Sequence, residues 1–292
     1  MLSIGGSAKM TADVLLNKIF TVNSLRKAVN NKNGDLYKET INSLSINNGE
    51  IKTNLDAIKN MYKYMYKSHR NEYFYKNTLI NKILLGRHSV RTSTAIRELP
   101  ISNNILDLLI INGIGQVYEI KTGLDNLNRL KDQLNAYYMA FSYCNVVTDL
   151  SHLDDLKELL SDTPTGIILL TNRGTLHVEK SPSEYNDKLN SREIFRILRK
   201  GEFENIIKKN FGYLPKVGQS KYYQECFKLF KTIEVKKTQK FMLDELKKRS
   251  SINQENYSYF KDIPKELKAL VYFSDYKIKE YNVLQEFLNT KY

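Results

Sequence analysis

ILDLLIINGIGQVYEIK, residues 105–121, decides the fold. Its first seven residues are apolar on both sides of Asp107, the pattern of a central strand covered on each face. Asn112-Gly113 is the strongest local turn signal in the chain, and Gln116 to Lys121 runs back as a second strand. Side chains alternate along a strand, so the length of this turn decides which residues share a face. A two-residue Asn112-Gly113 loop sets Asp107 against Tyr118 and sends Asp107 and Glu119 to opposite faces. An odd-numbered turn, with Gly113 in the left-handed bulge position, puts both carboxylates on one face.

The order of elements around the hairpin follows from composition. Ala95 to Leu99 reads as a short strand before Pro100. Gly123 breaks the second hairpin strand, and Asp125 opens a helix to about Phe141, with Leu127, Leu130, Leu134 and Phe141 as its buried stripe. Asn145 to Val147 and Gly166 to Leu170 read as strands, the latter paired with Leu176 to Glu179, and an acidic helix at Leu153 to Leu160 separates them. Upstream, Thr11 to Ala28 carries apolar residues at helical intervals with Thr11 placed to cap it. A second helical run extends from about Gly49 to Leu85, with Gly86 as its stop. Its Tyr62, Tyr64 and Tyr66, interleaved with lysines, either stack bases or form a packed helix face. After Pro182 the chain turns helical and basic. The expected class is α+β, a mixed sheet flanked by helices, with helical N- and C-terminal extensions. The expected division is a basic helical region at 1–89, an α/β core at 90–183 and a basic helical region at 184–292.

Glu119 and Lys121 are two apart in a strand, so a carboxylate and an amine enter the same space with Ile120 turned away. Asp107 lies on the preceding strand. A charged group inside an apolar strand is costly unless it is paired, metal-bound or placed at a cleft. Phosphodiester hydrolysis needs hard oxygen ligands for a divalent ion, a nearby cation and a positioned water. Asp107 and Glu119 supply the ligands, Glu98 extends the set as a third carboxylate, and Lys121 orients the water and offsets developing charge.

Glu98, Asp107 and Glu119-x-Lys121, followed by a helix bearing Gln133-Leu-Asn-Ala-Tyr137, resemble the PD-(D/E)XK nuclease superfamily, especially its RecB-like branch. In that branch a glutamine and a tyrosine four apart follow the core lysine, on one helical face. The stretch from about Ile96 to Asp149, with Asp125 and Arg129, is also similar to an uncharacterised bacterial family of predicted nucleases within the superfamily. Asp107 is preceded by Leu106 where the motif has proline, a position that varies among members. The resemblance implies a restriction-endonuclease-like sheet and a nuclease with Mg²⁺ or Mn²⁺ at Glu98, Asp107 and Glu119. It also implies that Asp107, Glu119, Lys121, Gln133 and Tyr137 serve catalysis, that DNA is the substrate, and that the setting is phage defence, mobile elements or repair. The alternatives are a non-catalytic nucleic-acid-binding module of nuclease-like fold, or an adaptor active only with partner subunits.

Charge distribution agrees with a polyanionic partner. The 292 residues carry +13 in all, divided as +8 over 1–89, −3 over 90–183, +8 over 184–249 and none over the remainder. An acidic centre concentrates divalent cations while basic flanks neutralise phosphates. Lysine-rich composition of the whole chain is the competing reading, as are solvated helix faces for the clusters at Arg199–Lys200, Lys208–Lys209, Lys236–Lys237 and Lys247–Arg249. No apolar stretch reaches the length of a membrane helix. Cys144 and Cys226 are isolated, as expected of buried thiols in a reducing cytoplasm. His69, His88, His152 and His177 have no metal-ligand spacing.

Overall fold

A computed structural model describes residues 12–46 and 51–291. In chain order, the helices α1 (Ala12–Ile19), α2 (Val22–Asn31), α3 (Asp35–Ser43), α4 (Asn54–Ser68) and α5 (Glu72–Leu79) come first, closed by a π-helical turn at Ile80–Leu84. Next come β1 (Thr94–Ile101), β2 (Asn104–Asn112), β3 (Ile114–Lys121), α6 (Leu130–Tyr137), β4 (Tyr143–Thr148), α7 (Leu153–Leu159), β5 (Gly166–Leu170) and β6 (Leu176–Lys180). The helices α8 (Ser191–Ile197), α9 (Lys200–Phe211), α10 (Gln219–Phe230), α11 (Val235–Lys247), α12 (Tyr257–Lys261), α13 (Lys268–Tyr272) and α14 (Ile278–Asn289) complete the chain.

The chain forms two compact units, one of Met1–Asn81 with Ser251–Tyr292 and one of Lys82–Ser250. This division differs from the three consecutive regions expected from charge. The two ends of the chain share the first unit, while α8 to α11 belong to the same unit as the sheet. Charge composition is blind to both pairings, because they are made by contacts far apart in sequence.

In the first unit the run expected over Thr11 to Ala28 is two helices. Thr21 accepts a hydrogen bond from the Ser24 amide at 3.2 Å and starts α2 as its cap. Thr11, expected as a cap, and Gly49, expected as a helix start, lie outside the described residues. The run through Leu85 breaks at His69–Asn71, where Asn71 caps α5 through the Phe74 amide. The tyrosine stripe of α4 packs inside its own unit: Tyr62 lies against Phe20, Tyr73 and Phe74, and Tyr66 against Phe74.

In the second unit the sheet has order β1-β2-β3-β4-β5-β6. β1, β2 and β3 are antiparallel neighbours, β3, β4 and β5 are parallel, and β6 returns antiparallel. Parallel pairs need crossovers, which α6 and α7 supply. This is the mixed α+β sheet expected from the sequence. Pro100 falls within β1 rather than after it, and an edge strand tolerates the missing donor. α6 packs over β2, and α8 and α11 pack on β1. α11 comes so close to β3 that a Cβ on Gly115 would meet Leu243 at 2.6 Å. Leu109, Val117, Leu134, Tyr137, Phe141 and Val146 share the core on this side. The helix expected from Asp125 begins at Leu130 instead. Asp125 accepts hydrogen bonds from the Thr122 amide and hydroxyl, each at 2.8 Å, and so closes a turn before the helix.

Candidate active site

The β2–β3 register is odd. Leu108 pairs with Tyr118 and Asn112 with Ile114, leaving only Gly113, at φ 75°, between the last pair. Continuing that register sets Asp107 opposite Glu119, on the same face. Glycine fits this left-handed turn position because it has no Cβ to clash with the carbonyl. The choice of residue at 113 therefore fixes the relative placement of two carboxylates on either side of it.

Helix α6 then meets β3 residue by residue. Four residues of helix advance about 6 Å and two residues of strand about 6.6 Å, so an i,i+4 pair matches an i,i+2 pair when the elements run antiparallel. Lys121 Nζ donates to Gln133 Oε1 at 2.9 Å, and Tyr137 Oη donates to Glu119 Oε2 at 2.8 Å. Lys121 Nζ lies 3.0 Å from Glu119 Oε1, with the two side chains 10% and 2% exposed. Charges this deep are tolerated only when paired and hydrogen-bonded. The Tyr137 hydroxyl is also 3.0 Å from the Ile105 carbonyl. Burial, then the Glu119 charge, hold its phenol well above the usual range, and Asp107 adds in the same direction. Asp107 Oδ2 accepts from the Ile120 amide at 2.7 Å, and its side chain is half-buried.

Five of the six expected site residues thus gather on one face: Asp107, Glu119, Lys121, Gln133 and Tyr137. Glu98 does not join the carboxylates as expected. It faces Asp107 in the register but takes a left-handed backbone, φ 53°, and its exposed side chain lies 3.5 Å from Arg97. Among the described residues no three His, Cys, Asp or Glu side chains gather to hold a metal ion. Asp107 and Glu119 remain as hard-oxygen donors, and Mg²⁺, which keeps several of its waters, is commonly held by one or two carboxylates. The donor chemistry fits such an ion. Any ion would share Glu119 with the Lys121 amine and the Tyr137 hydroxyl.

Sequence reasoning missed Thr148. It ends β4 beside Lys121 in the parallel register and is wholly buried. Among the described residues its hydroxyl has no hydrogen-bond partner. A buried polar atom without a partner costs about 1–3 kcal/mol, so it needs an explanation. Its position at the C-terminal ends of parallel strands is where ligands of α/β sheets bind. The signal was present in the sequence as a hydroxyl closing the apolar run at Asn145 to Val147.

Other expected sites are structural or local. His152 Nε2 is 3.1 Å from the Thr122 carbonyl, and His88 Nδ1 is 2.7 Å from Asn112 Nδ2. Within the basic clusters, Arg249 is consumed by Glu202, Lys200 lies 3.9 Å from Glu204, and Lys237 lies 3.9 Å from Glu234. Among the described residues no helix is long and apolar enough to cross a membrane.

Residues 65–270, well over half of the chain, match the family described as bacteriophage P4 protein cII, and the chain belongs to that family. No curated protein and no solved structure matches it.

Proposed function

We propose that this member of the bacteriophage P4 protein cII family is a metal-dependent nuclease of PD-(D/E)XK type that hydrolyses phosphodiester bonds in DNA. The observation that carries this reading is the bonded chain Gln133–Lys121–Glu119–Tyr137, with Asp107 set on the same sheet face by the register and held by the Ile120 amide. Asp107 and Glu119 would hold a Mg²⁺ or Mn²⁺ ion. When bound, such an ion polarises a phosphoryl oxygen and lowers the pKa of a water.

The chain's own groups do the rest. Lys121 presents an amine beside Glu119, placed to orient the attacking water and to offset charge on the phosphoryl oxygens. Gln133 holds that amine from the helix side. Tyr137 keeps one Glu119 oxygen fixed, and burial of the pair strengthens each of these interactions. The chain makes its contacts to phosphates from basic helices. The family's phage name favours a mobile-element setting, and the buried free thiols Cys144 and Cys226 favour the cytoplasm.

The test is cleavage of single- and double-stranded DNA in Mg²⁺ or Mn²⁺ by the native chain, Glu119→Ala and Lys121→Ala. Cutting by the native chain alone, with DNA binding kept in all three, supports the nuclease. Absence of cutting by the native chain in either ion sinks it. A second reading, a nucleic-acid-binding module or adaptor, draws on one specific observation. Both Glu119 oxygens already have protein partners, and among the described residues no group of three acidic, His or Cys side chains gathers to hold an ion. Binding without cutting favours the module, and cutting only after co-purification with partner subunits favours the adaptor.

A further inference from the structure

Helices α8 and α10 enclose a cavity of ≈ 360 Å³ lined by Arg192, Phe195, Arg196, Tyr223 and Phe227. Their sequence makes it so. Residues 192, 195 and 196 fall on one face of α8, and 223 and 227 on one face of α10. Phe195 is the buried floor, with ring centroids 4.9 Å from Tyr223 and 5.3 Å from Phe227. Tyr223 is 48% exposed, so a wide ring face is left open to solvent. The Arg192 guanidinium lies 5.0 Å over the Phe227 ring, and Arg196 is 3.2 Å from Glu193. Arg192, Arg196 and Tyr223 line the same cavity, so both cations stand beside the exposed ring.

An open aromatic face beside two guanidiniums is the chemistry of base stacking next to a phosphate. Among the described residues one carboxylate, Glu193, is ion-paired with them, through Arg196. A neutral apolar ligand would leave the second guanidinium unused. The surrounding segment, residues 184–249, carries +8.

We infer that this cavity is a binding site for single-stranded nucleic acid, stacking one unpaired base on the exposed Tyr223 ring and gripping its phosphate with Arg192 and Arg196. The inference rests on the nuclease reading for its biological use and names the substrate class as unpaired strand. It is tested by binding alone, in EDTA, so that cleavage plays no part.

The probe is fluorescein-labelled (dT)12 in an anisotropy titration, compared with a duplex of equal length and with the same strand carrying abasic sites. The single strand should bind best. Tyr223→Ala should weaken it about tenfold while Tyr223→Phe keeps it, because stacking needs the ring and not the hydroxyl. Abasic sites should reproduce the loss. Arg192→Ala and Arg196→Ala should each reduce the slope of log affinity against log salt by about one. Circular dichroism melts confirm folding of each variant.

The inference is overturned if (dT)12 binds no better than duplex, or if Tyr223→Ala binds as the native chain does. Equal competition by poly-glutamate overturns it too, since that would mark an acidic-peptide site. The two proposals fail separately. A chain that cuts DNA but ignores Tyr223 loses only this one, and a chain that binds through Tyr223 but never cuts loses only the nuclease.

Discussion

Two carboxylate–cation pairs in the same unit, one half-buried and one buried, invite comparison. In the helices, Arg249 grips Glu202 through Nε at 2.7 Å and Nη2 at 2.5 Å, and its Nη2 also reaches the Ile197 carbonyl at 3.0 Å. Glu202 in turn accepts from the Arg199 amide at 2.7 Å, capping α9. Every part of that pair joins one element to another, and a planar fork on one carboxylate is the geometry stability selects. The sheet pair is built differently. Glu119 and Lys121 sit two apart on one strand, and each is held from α6, by Tyr137 and Gln133. A second acid, Asp107, falls on the same face in the register, so two acidic side chains share that face with one amine. A Thr148 hydroxyl with no partner among the described residues lies alongside. The contrast teaches that burial and pairing alone do not mark a site. An excess of acid and an unsatisfied polar atom do.

If that distinction is right, mutations should divide cleanly. Glu119→Ala and Lys121→Ala should each reduce cleavage by about a thousandfold or more, the scale of losing a positioned charge at a reacting phosphate. Single-turnover rates at saturating protein measure this, and wild-type rates in either variant would erase the contrast. Arg249→Met should do the reverse. It should cost about 1–2 kcal/mol of stability, because it strands a half-buried carboxylate, yet leave the cleavage rate unchanged well below the melting temperature. Denaturant melts of the two sets, read beside their rates, sharpen the comparison.

Tyr137→Phe sits between the two classes. It removes one hydrogen bond to Glu119 and should slow cleavage about tenfold with a loss of about 1 kcal/mol of stability. Acid should separate the pairs as well. Burial pushes the Glu202 carboxyl up, but hydrogen bonds from Arg249 and the Arg199 amide, with both arginine charges, bring it below its usual value. A carboxyl lowered in the folded state stabilises above its unfolded pKa, and that contribution is lost as pH falls through the lowered value. The stability difference between the native chain and Glu202→Gln should therefore be full at neutral pH and shrink in acid below the ordinary carboxylate range, as chemical denaturation at both pH values will show. The smallest effect is expected at the turn. Gly113→Ala has open space for its Cβ but holds φ 75°, and should cost about 1 kcal/mol in the same melts.

The sheet was legible because strand signals there are local. Alternation, Asn112-Gly113 and the apolar runs at 105–111 and 166–170 each act over a few residues. The requirement that Asp107 and Glu119 share a face even predicted the odd register. What stayed hidden depends on distant contacts or on a competing local bond. Asp125 looked like a helix start but spends its carboxylate on Thr122. Glu98 had the right spacing for a ligand, but its backbone is left-handed and its exposed side chain lies beside Arg97. The joining of both chain ends in one unit has no local signature, since Asn54 meets the Phe287 carbonyl across more than two hundred residues.

The central claim is that Asp107 and Glu119 jointly hold a divalent ion. Anomalous diffraction from crystals soaked in Mn²⁺ tests it most directly. The account predicts a single strong peak bonded to both carboxylates on the α6 side of the sheet, absent in Glu119→Gln. A well-ordered Asp107 and Glu119 with no peak, or an Asp107 turned to the other side, would contradict it.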